Sequence, residues 1–263
     1  MQFAFGAGTL FGVRTDVANS TPVEFAALQE GSVEFSASTK EAKGGYQFPL
    51  AVARGTGKIS CKSKMVTING RIFSDLFFGV AQTVGQLMEA YHEAAVAIPT
   101  TPFTITGANG ATWVDDLGAV YGPLLSDGTA CSLSGQPFTK VGSAATPIAG
   151  QYKVAAGGIY TFSSADNVSK YMAAISYTYT YAAAGNRIVV ANQLLGVNPV
   201  FTAVLNVPYT GPSGQLNLLI KLHACVAEKL TFATKLEDFI IPEFDFACFA
   251  DSSNNLATIS FVN

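Results

Sequence analysis

Residues 33–68 read VEFSASTKEAKGGYQFPLAVARGTGKISCKSKMVTI. Val33, Phe35 and Ala37 alternate with Glu34, Ser36 and Ser38, the period of two expected of a half-buried strand. Ile59, Cys61 and Met65 on one side, with Lys58, Lys62 and Lys64 on the other, predict a second strand of the same kind. Between the two strands, residues 40–57 carry Gly44, Gly45, Pro49, Gly55 and Gly57. Such a connection is longer than the usual hairpin loop of about 2–5 residues. The stretch specifies β structure around a Gly-, Pro- and Lys-rich connection, and it contains the ingredients of a building block more than those of a catalyst.

Downstream, FSDLFFG (residues 73–79) predicts a short helix capped by Ser74 or Asp75 and stopped at Gly79. Residues 80–98 place Leu87, Met88 and Tyr91 at helical spacing, so a second helix is expected there, although Gly85 weakens it. Pro99 and Pro102 mark a change of composition. From residue 103 to 181, turn signals such as Asn109-Gly110, Asp127-Gly128 and Gly157-Gly158 separate the strand-like pieces FTIT, AVY, PFTKV, QYKV, GIYTF and ISYTYTY. Short strands at short spacing predict a small sandwich or barrel. Ile175, Tyr177, Tyr179 and Tyr181 share one face of the last strand.

After residue 185 the segments RIVVANQLLG, PVFTAVLNVPYTG, QLNLLIKLHACVAEKLTFATKL, DFIIPEFDFACFAD and ATISFVN read as longer, more apolar strands that can partner the first block. Residues 1–31 carry Gly6, Gly8, Gly12 and Pro22 without clear periodicity and read as an N-terminal arm. The expected fold is mainly β: a sandwich or barrel core from residues 32–98 and 185–263 with a short flanking helix. Residues 99–184 are expected to form a small β-sandwich inserted into it.

Only 13% of the 263 residues are charged, 49% are hydrophobic and the mean hydropathy is +0.32. That excludes a disordered chain. It also leaves fewer charges than a freely soluble surface usually carries, so the chain is either a β protein with Ser/Thr/Gly surfaces or a subunit buried against others. A net charge of -3 argues against a surface that grips nucleic acid. No apolar run reaches the ~20 residues of a membrane-spanning helix. The start MQFAFGAGTLFGVR lacks a basic region and a sustained apolar core, so no signal peptide is expected, and the sequons at Asn19 and Asn167 are read as chance matches. Cys61, Cys131, Cys225 and Cys248 are far apart with no CxxC pair, and buried thiols in a reducing compartment are expected.

His92 and His223 are the only histidines, and neither has further ligands at metal-site spacing. His223 lies in the apolar run LLIKLHACV and reads as a core or interface residue. Gly55-Thr56-Gly57-Lys58 has the wrong upstream spacing for a phosphate loop and reads as a turn. The acidic pairs Asp115-Asp116, Glu237-Asp238 and Glu243/Asp245 have the residue types of glycosidase-like acid/base chemistry, but Asp115-Asp116 before Leu117-Gly118 reads as a turn cap. Glu243 and Asp245 alternate with Phe244 and Phe246 and share the polar face of a strand. That face is either solvated or lines the lumen of a ring, repelling phosphates so that DNA slides past. Lys40, Lys43, Arg54, Lys58, Lys62 and Lys64 form the densest basic region, with Tyr46 and Phe48 as its only nearby aromatics. Edge protection or ion pairs between subunits fit it better than nucleic-acid binding. No enzyme activity, cofactor or metal is expected.

The block LQEGSVEFSASTKEAKGGYQFPLAVARGTGKISCKSKMVTINGRIFSDLFFG, with KLTFATKLEDFIIPEFDFACFAD and ATIS near the C-terminus, resembles the tail-tube (major tail) proteins of long-tailed bacteriophages. The resemblance implies a virion subunit whose inner sheet joins five others into a hexameric barrel. Rings of this kind stack through a long loop and an N-terminal arm, and other tail proteins and passing DNA are the remaining partners. The 40–57 connection, with Lys40, Lys43, Tyr46, Phe48, Arg54 and Lys58, is then the stacking loop, and Glu243 and Asp245 are the lumen acids. Two rivals remain: a capsid decoration or head–tail adaptor protein, and a carbohydrate-binding or hydrolytic β protein using the tyrosines of the middle region.

Overall fold

The computed structural model describes residues 3–4, 8–25, 27–43, 47–93, 95–123, 136–168, 171–194, 196, 198–211 and 214–261. The chain is mainly β and divides into two compact units, Met1–Gln82 with Ile188–Asn263, and Thr83–Arg187. In chain order the first unit holds β1 (Phe3–Ala4), β2 (Thr9–Arg14), β3 (Val23–Glu24), β4 (Leu28–Ala42) and β5 (Ala51–Met65). The second holds β6 (Thr83–Ala90), β7 (Val96–Ala97), β8 (Thr104–Thr106), β9 (Trp113–Pro123), β10 (Gln136–Pro137), β11 (Thr139–Lys140), β12 (Gln151–Ala155), β13 (Ile159–Phe162) and β14 (Tyr171–Arg187). The chain then re-enters the first unit as β15 (Phe201–Gly211), β16 (Gly214–Thr231), β17 (Glu243–Phe249) and β18 (Ala257–Ser260).

The first unit is one antiparallel sheet in the order β3-β2-β15-β16-β17-β5-β4, with β1 also on β15 and β18 also on β16. Its two end strands, β3 and β4, are separated in the chain by residues 25–27 alone. So short a link spans at most about 14 Å, which forces the sheet to curl until its ends approach. Phe25, in that link, meets Phe244 edge-to-face at 5.3 Å and Phe246 at 6.3 Å, although β17 lies in the middle of the strand order. Phe201 completes the aromatic centre at 5.4 Å from Phe246. Each of these four rings is essentially fully buried, a placement that contributes on the order of 2–3 kcal/mol per side chain.

A short π-helix, Ile72–Phe78, packs on β2 and β16 and buries Ile72, Phe73 and Leu76. Its first capping position is Arg71, and Ser74 and Asp75 lie inside it rather than capping it. Gly79 ends it at φ 66, a left-handed conformation that favours glycine. Gly12 on β2 is glycine for a packing reason: a Cβ there would sit 2.5 Å from Leu76 Cδ1 and 3.1 Å from Phe25 Cε2.

The second unit stacks a five-stranded sheet (β10-β9-β14-β6, with β7 on β14) on a four-stranded one (β11-β12-β13-β8). All its ladders are antiparallel except β11 with β12. Ala119, Ile175 and Tyr177 from one sheet pack with Ile105, Tyr152, Tyr160 and Phe162 from the other, which is a sandwich core.

Three expectations are corrected. Residues 80–98 form β6 and β7 and no helix, because β6 is hydrogen-bonded along β14 from Tyr177↔Ala90 to Arg187↔Thr83. That pairing moves the first boundary of the inserted unit from residue 99 to Thr83. Residues 9–25 are not a free arm: β2 pairs with β15, and Leu10, Val23 and Phe25 are buried. Past Arg187, which ends β14, the described residues of RIVVANQLLG form no strand, and Val189 and Leu194 stand 69% and 84% exposed.

Candidate functional site: a hairpin arm exposed on both faces

β4 and β5 pair from Leu28↔Met65 to Ala42↔Ala51, with bulges near residues 28–30 and 37–39. The connection expected over 40–57 is therefore mostly ladder, and only residues 43–50 lie outside the strands. At the root, Ile59, Cys61, Ser63 and Met65 turn inward to the core. Beyond Ile59 the pattern stops. Every described residue of 36–58 is exposed except Ala37 and Pro49, which are half-buried. A two-stranded ribbon with no packed face has marginal stability in water, so this length of ladder calls for a surface to lie against.

The tip is apolar where a solvated turn would be polar. Phe48, Leu50 and Val52 are 76%, 66% and 59% exposed. Around them stand the cations expected from the sequence. Lys40 lies opposite Ala53 on β4, and Arg54 lies opposite Thr39 on β5. Neither forms an ion pair among the described residues. Lys43 meets Glu41 at 3.4 Å, and Lys58 meets Glu228 at 3.3 Å. Tyr46 lies outside the described residues. The arm thus brings Lys40, Lys43, Phe48, Arg54 and Lys58 onto one projection. What sequence reasoning missed there was Leu50 and Val52, whose signal was an apolar run beside a turn.

Glu243 and Asp245 lie on the face of β17 opposite Phe244 and Phe246, as the alternation predicts. The ladder sets Glu243 against Lys64 and Asp245 against Lys62 on β5, while Lys229 on β16 flanks Asp245 from the other side. Lys64 Nζ is 2.7 Å from Glu30 and 4.0 Å from Glu243. The hydrogen bond from Lys64, and then its charge, hold the Glu30 carboxyl below its usual range. Glu30, Glu243 and Asp245 against Lys62, Lys64 and Lys229 make a patch of interleaved and balanced charge, not a row of acids.

The remaining candidates have local partners. His223 Nε2 is 2.9 Å from Thr258 Oγ1, and its Nδ1 is 3.6 Å from Asp251. His92 adopts φ 46, donates its backbone N–H to Ser176 Oγ (3.0 Å) and stacks on Tyr91 at 4.1 Å. Asp116 makes the turn-capping bond to the Gly118 N–H and is also held by tyrosines of β12 and β13. It is a carboxylate 3% exposed that accepts from Lys140 (2.7 Å), Tyr152 (2.8 Å), Tyr160 (3.0 Å) and the Gly118 N–H (3.0 Å). Burial alone would raise its pKa, but these hydrogen bonds, led by those of Lys140 and Tyr152, hold it below the usual carboxylate range. Tyr152, Tyr160 and Tyr177 are buried and present no aromatic platform to a sugar. Among the described residues, no group of three or more His, Cys, Asp or Glu could hold a metal ion, and no helix is long and apolar enough to cross a membrane.

Compared with known proteins, the sequence matches no protein-family model and no characterised protein.

Proposed function

We propose that the protein is a non-enzymatic subunit that assembles with copies of itself, its β4–β5 arm lying against a neighbouring copy. The observation that carries this reading is the arm: a long ladder, exposed on both faces, ending in Phe48, Leu50 and Val52. Burying those three side chains on a neighbour would contribute on the order of 1.5–3 kcal/mol each. Lys40 and Arg54 would supply charge complementarity that fixes the register. The low overall charge fits a chain much of whose surface is covered in its working state.

Joined to the sequence resemblance, this becomes a phage tail-tube subunit: hexameric rings stacked through the arm, in a virion tail made in the host cytoplasm, with DNA passing inside. The balanced patch of Glu30, Lys62, Lys64, Lys229, Glu243 and Asp245 suits a channel wall that neither holds nor expels a polyanion. The test is light scattering after size-exclusion chromatography across a concentration series. Large, concentration-dependent particles from the wild type, and monomers from Phe48→Glu with unchanged circular dichroism, are expected. A wild-type protein that stays monomeric at every concentration overturns the reading.

A further inference from the structure

Three of the four cysteines, remote in sequence, meet in the first unit. Cys225 on β16 and Cys248 on β17 are directly opposed in the ladder, with their Sγ atoms 3.2 Å apart. Cys61 on β5 also hydrogen-bonds to Cys248. In register, however, it faces Phe246, which sets it diagonally to Cys248. The distinction matters for covalent chemistry. Directly opposed residues on antiparallel strands have Cα atoms about 4.5–5.5 Å apart, inside the range a disulfide accepts. Diagonal neighbours are about 7–8 Å apart, beyond it without backbone movement.

The three thiols also differ in access. Cys225 is fully buried and Cys61 is 2% exposed, whereas Cys248 is half-buried and lines an open cleft at the root of the arm. Phe35, Arg54, Lys58, Ile59 and Ile259 share that cleft, whose volume is about 360 Å³. The hydrogen bonds from Cys225 and then Cys61 push Cys248 down, while the same contacts with Cys248, together with burial, push Cys225 and Cys61 up. One accessible, activated sulfur thus stands against one buried partner at bonding reach.

We propose that Cys248 and Cys225 are an oxidation site, with Cys248 the thiol that attacks peroxide and Cys225 the thiol that resolves it, giving a disulfide between β16 and β17. In the first step the Cys248 thiolate attacks one oxygen of hydrogen peroxide. An S–O bond forms, the O–O bond breaks and hydroxide leaves, so that Cys248 becomes the sulfenic acid. In the second, Cys225 sulfur attacks Cys248 sulfur. The S–S bond forms, the S–O bond breaks, and hydroxide departs as water with the Cys225 proton. Cys61 remains a thiol. The bond staples two central strands of the sheet and closes the chain between residues 225 and 248. The inference does not depend on the assembly reading.

The test uses the reduced full-length protein, treated with a small excess of hydrogen peroxide, alkylated and digested under non-reducing conditions. Mass spectrometry is expected to find Cys225 linked to Cys248, with Cys61 alkylated. Cys61→Ser should leave the link intact, while Cys225→Ser should stop at a Cys248 sulfenic acid that dimedone traps. The oxidised wild type should melt about 5–10 °C above the reduced one. Three outcomes overturn the proposal: both thiols still alkylated in the natively folded, peroxide-treated wild type; a link joining Cys248 to Cys61; or a link through Cys131. All are read on the wild type, so failure of a variant to fold does not protect the idea.

Discussion

Phe48 and Asp116 show how differently single residues act in the two units. Phe48 supports nothing within its own chain, being 76% exposed at the arm tip. Phe48→Ala should leave the unfolding midpoint within about 1 °C while raising the concentration at which particles form by roughly ten-fold or more. Light scattering and thermal unfolding on the same samples separate the two effects. Asp116 is the reverse case, an internal residue with four donors around it. Asp116→Ala strands the hydroxyl of Tyr152, leaves that of Tyr160 only the Ser176 carbonyl at 3.3 Å, and should destabilise the protein by about 2–4 kcal/mol, measurable by urea unfolding. Because the folded pKa of Asp116 lies below its usual 3.8, its contribution is fully present above about pH 4 and is lost as the pH falls through the folded value. Unfolding midpoints followed from pH 6 to pH 2 should show that loss in the wild type and a flatter profile in Asp116→Asn. Sequence alone marked Phe48 and, for Asp116, only the turn-capping bond to the Gly118 N–H, which the Asp115-Asp116 pair before Leu117-Gly118 suggests. Only the packing of β12 and β13 brings Tyr152 and Tyr160 to it.

At the scale of elements, the roots of β4 and β5 were legible because Ile59, Cys61 and Met65 alternate with lysines and one face enters the core. Their outer halves were not. Gly55 and Gly57 read as loop punctuation, yet Gly57 pairs with Ala37 in the ladder and Gly55 sits in the bulge beside Ser38, where no face is packed and small residues cost little. β6 was hidden for a related reason. It is the last strand of its sheet, Leu87 is 52% exposed, and the spacing of its apolar residues imitates a helix until β14 pairs with it. The apolar stretch at 188–194 was expected as a strand because Val189, Val190 and Leu194 suggest burial, but no layer of the first unit covers them. The arm yields an element-scale prediction. Replacing residues 38–55 by a two-residue Asn-Gly turn should retain the core, judged by circular dichroism and an unfolding midpoint within a few degrees of the wild type, while abolishing particle formation. Loss of the folded core on this deletion would show that the arm is structural rather than an assembly device.

For the whole molecule, the fold class and the presence of an insertion could be read from composition and punctuation, because turn signals at short spacing change to long apolar strands after residue 185. The entry point of the inserted unit required the β6–β14 ladder. That ladder also makes the insertion removable, since Thr83 and Arg187 are register partners on adjacent strands. Replacing residues 83–187 by a short Gly/Ser linker should therefore leave a folded first unit that still forms particles. Size-exclusion chromatography with light scattering reads this directly. The central claim, that this chain exists to meet copies of itself through the arm, is tested most directly by electron microscopy of the purified full-length protein at rising concentration. The account predicts rings and stacked tubes that vanish in Phe48→Glu. Dispersed single subunits at every concentration, or rings of unchanged abundance in that variant, would contradict it.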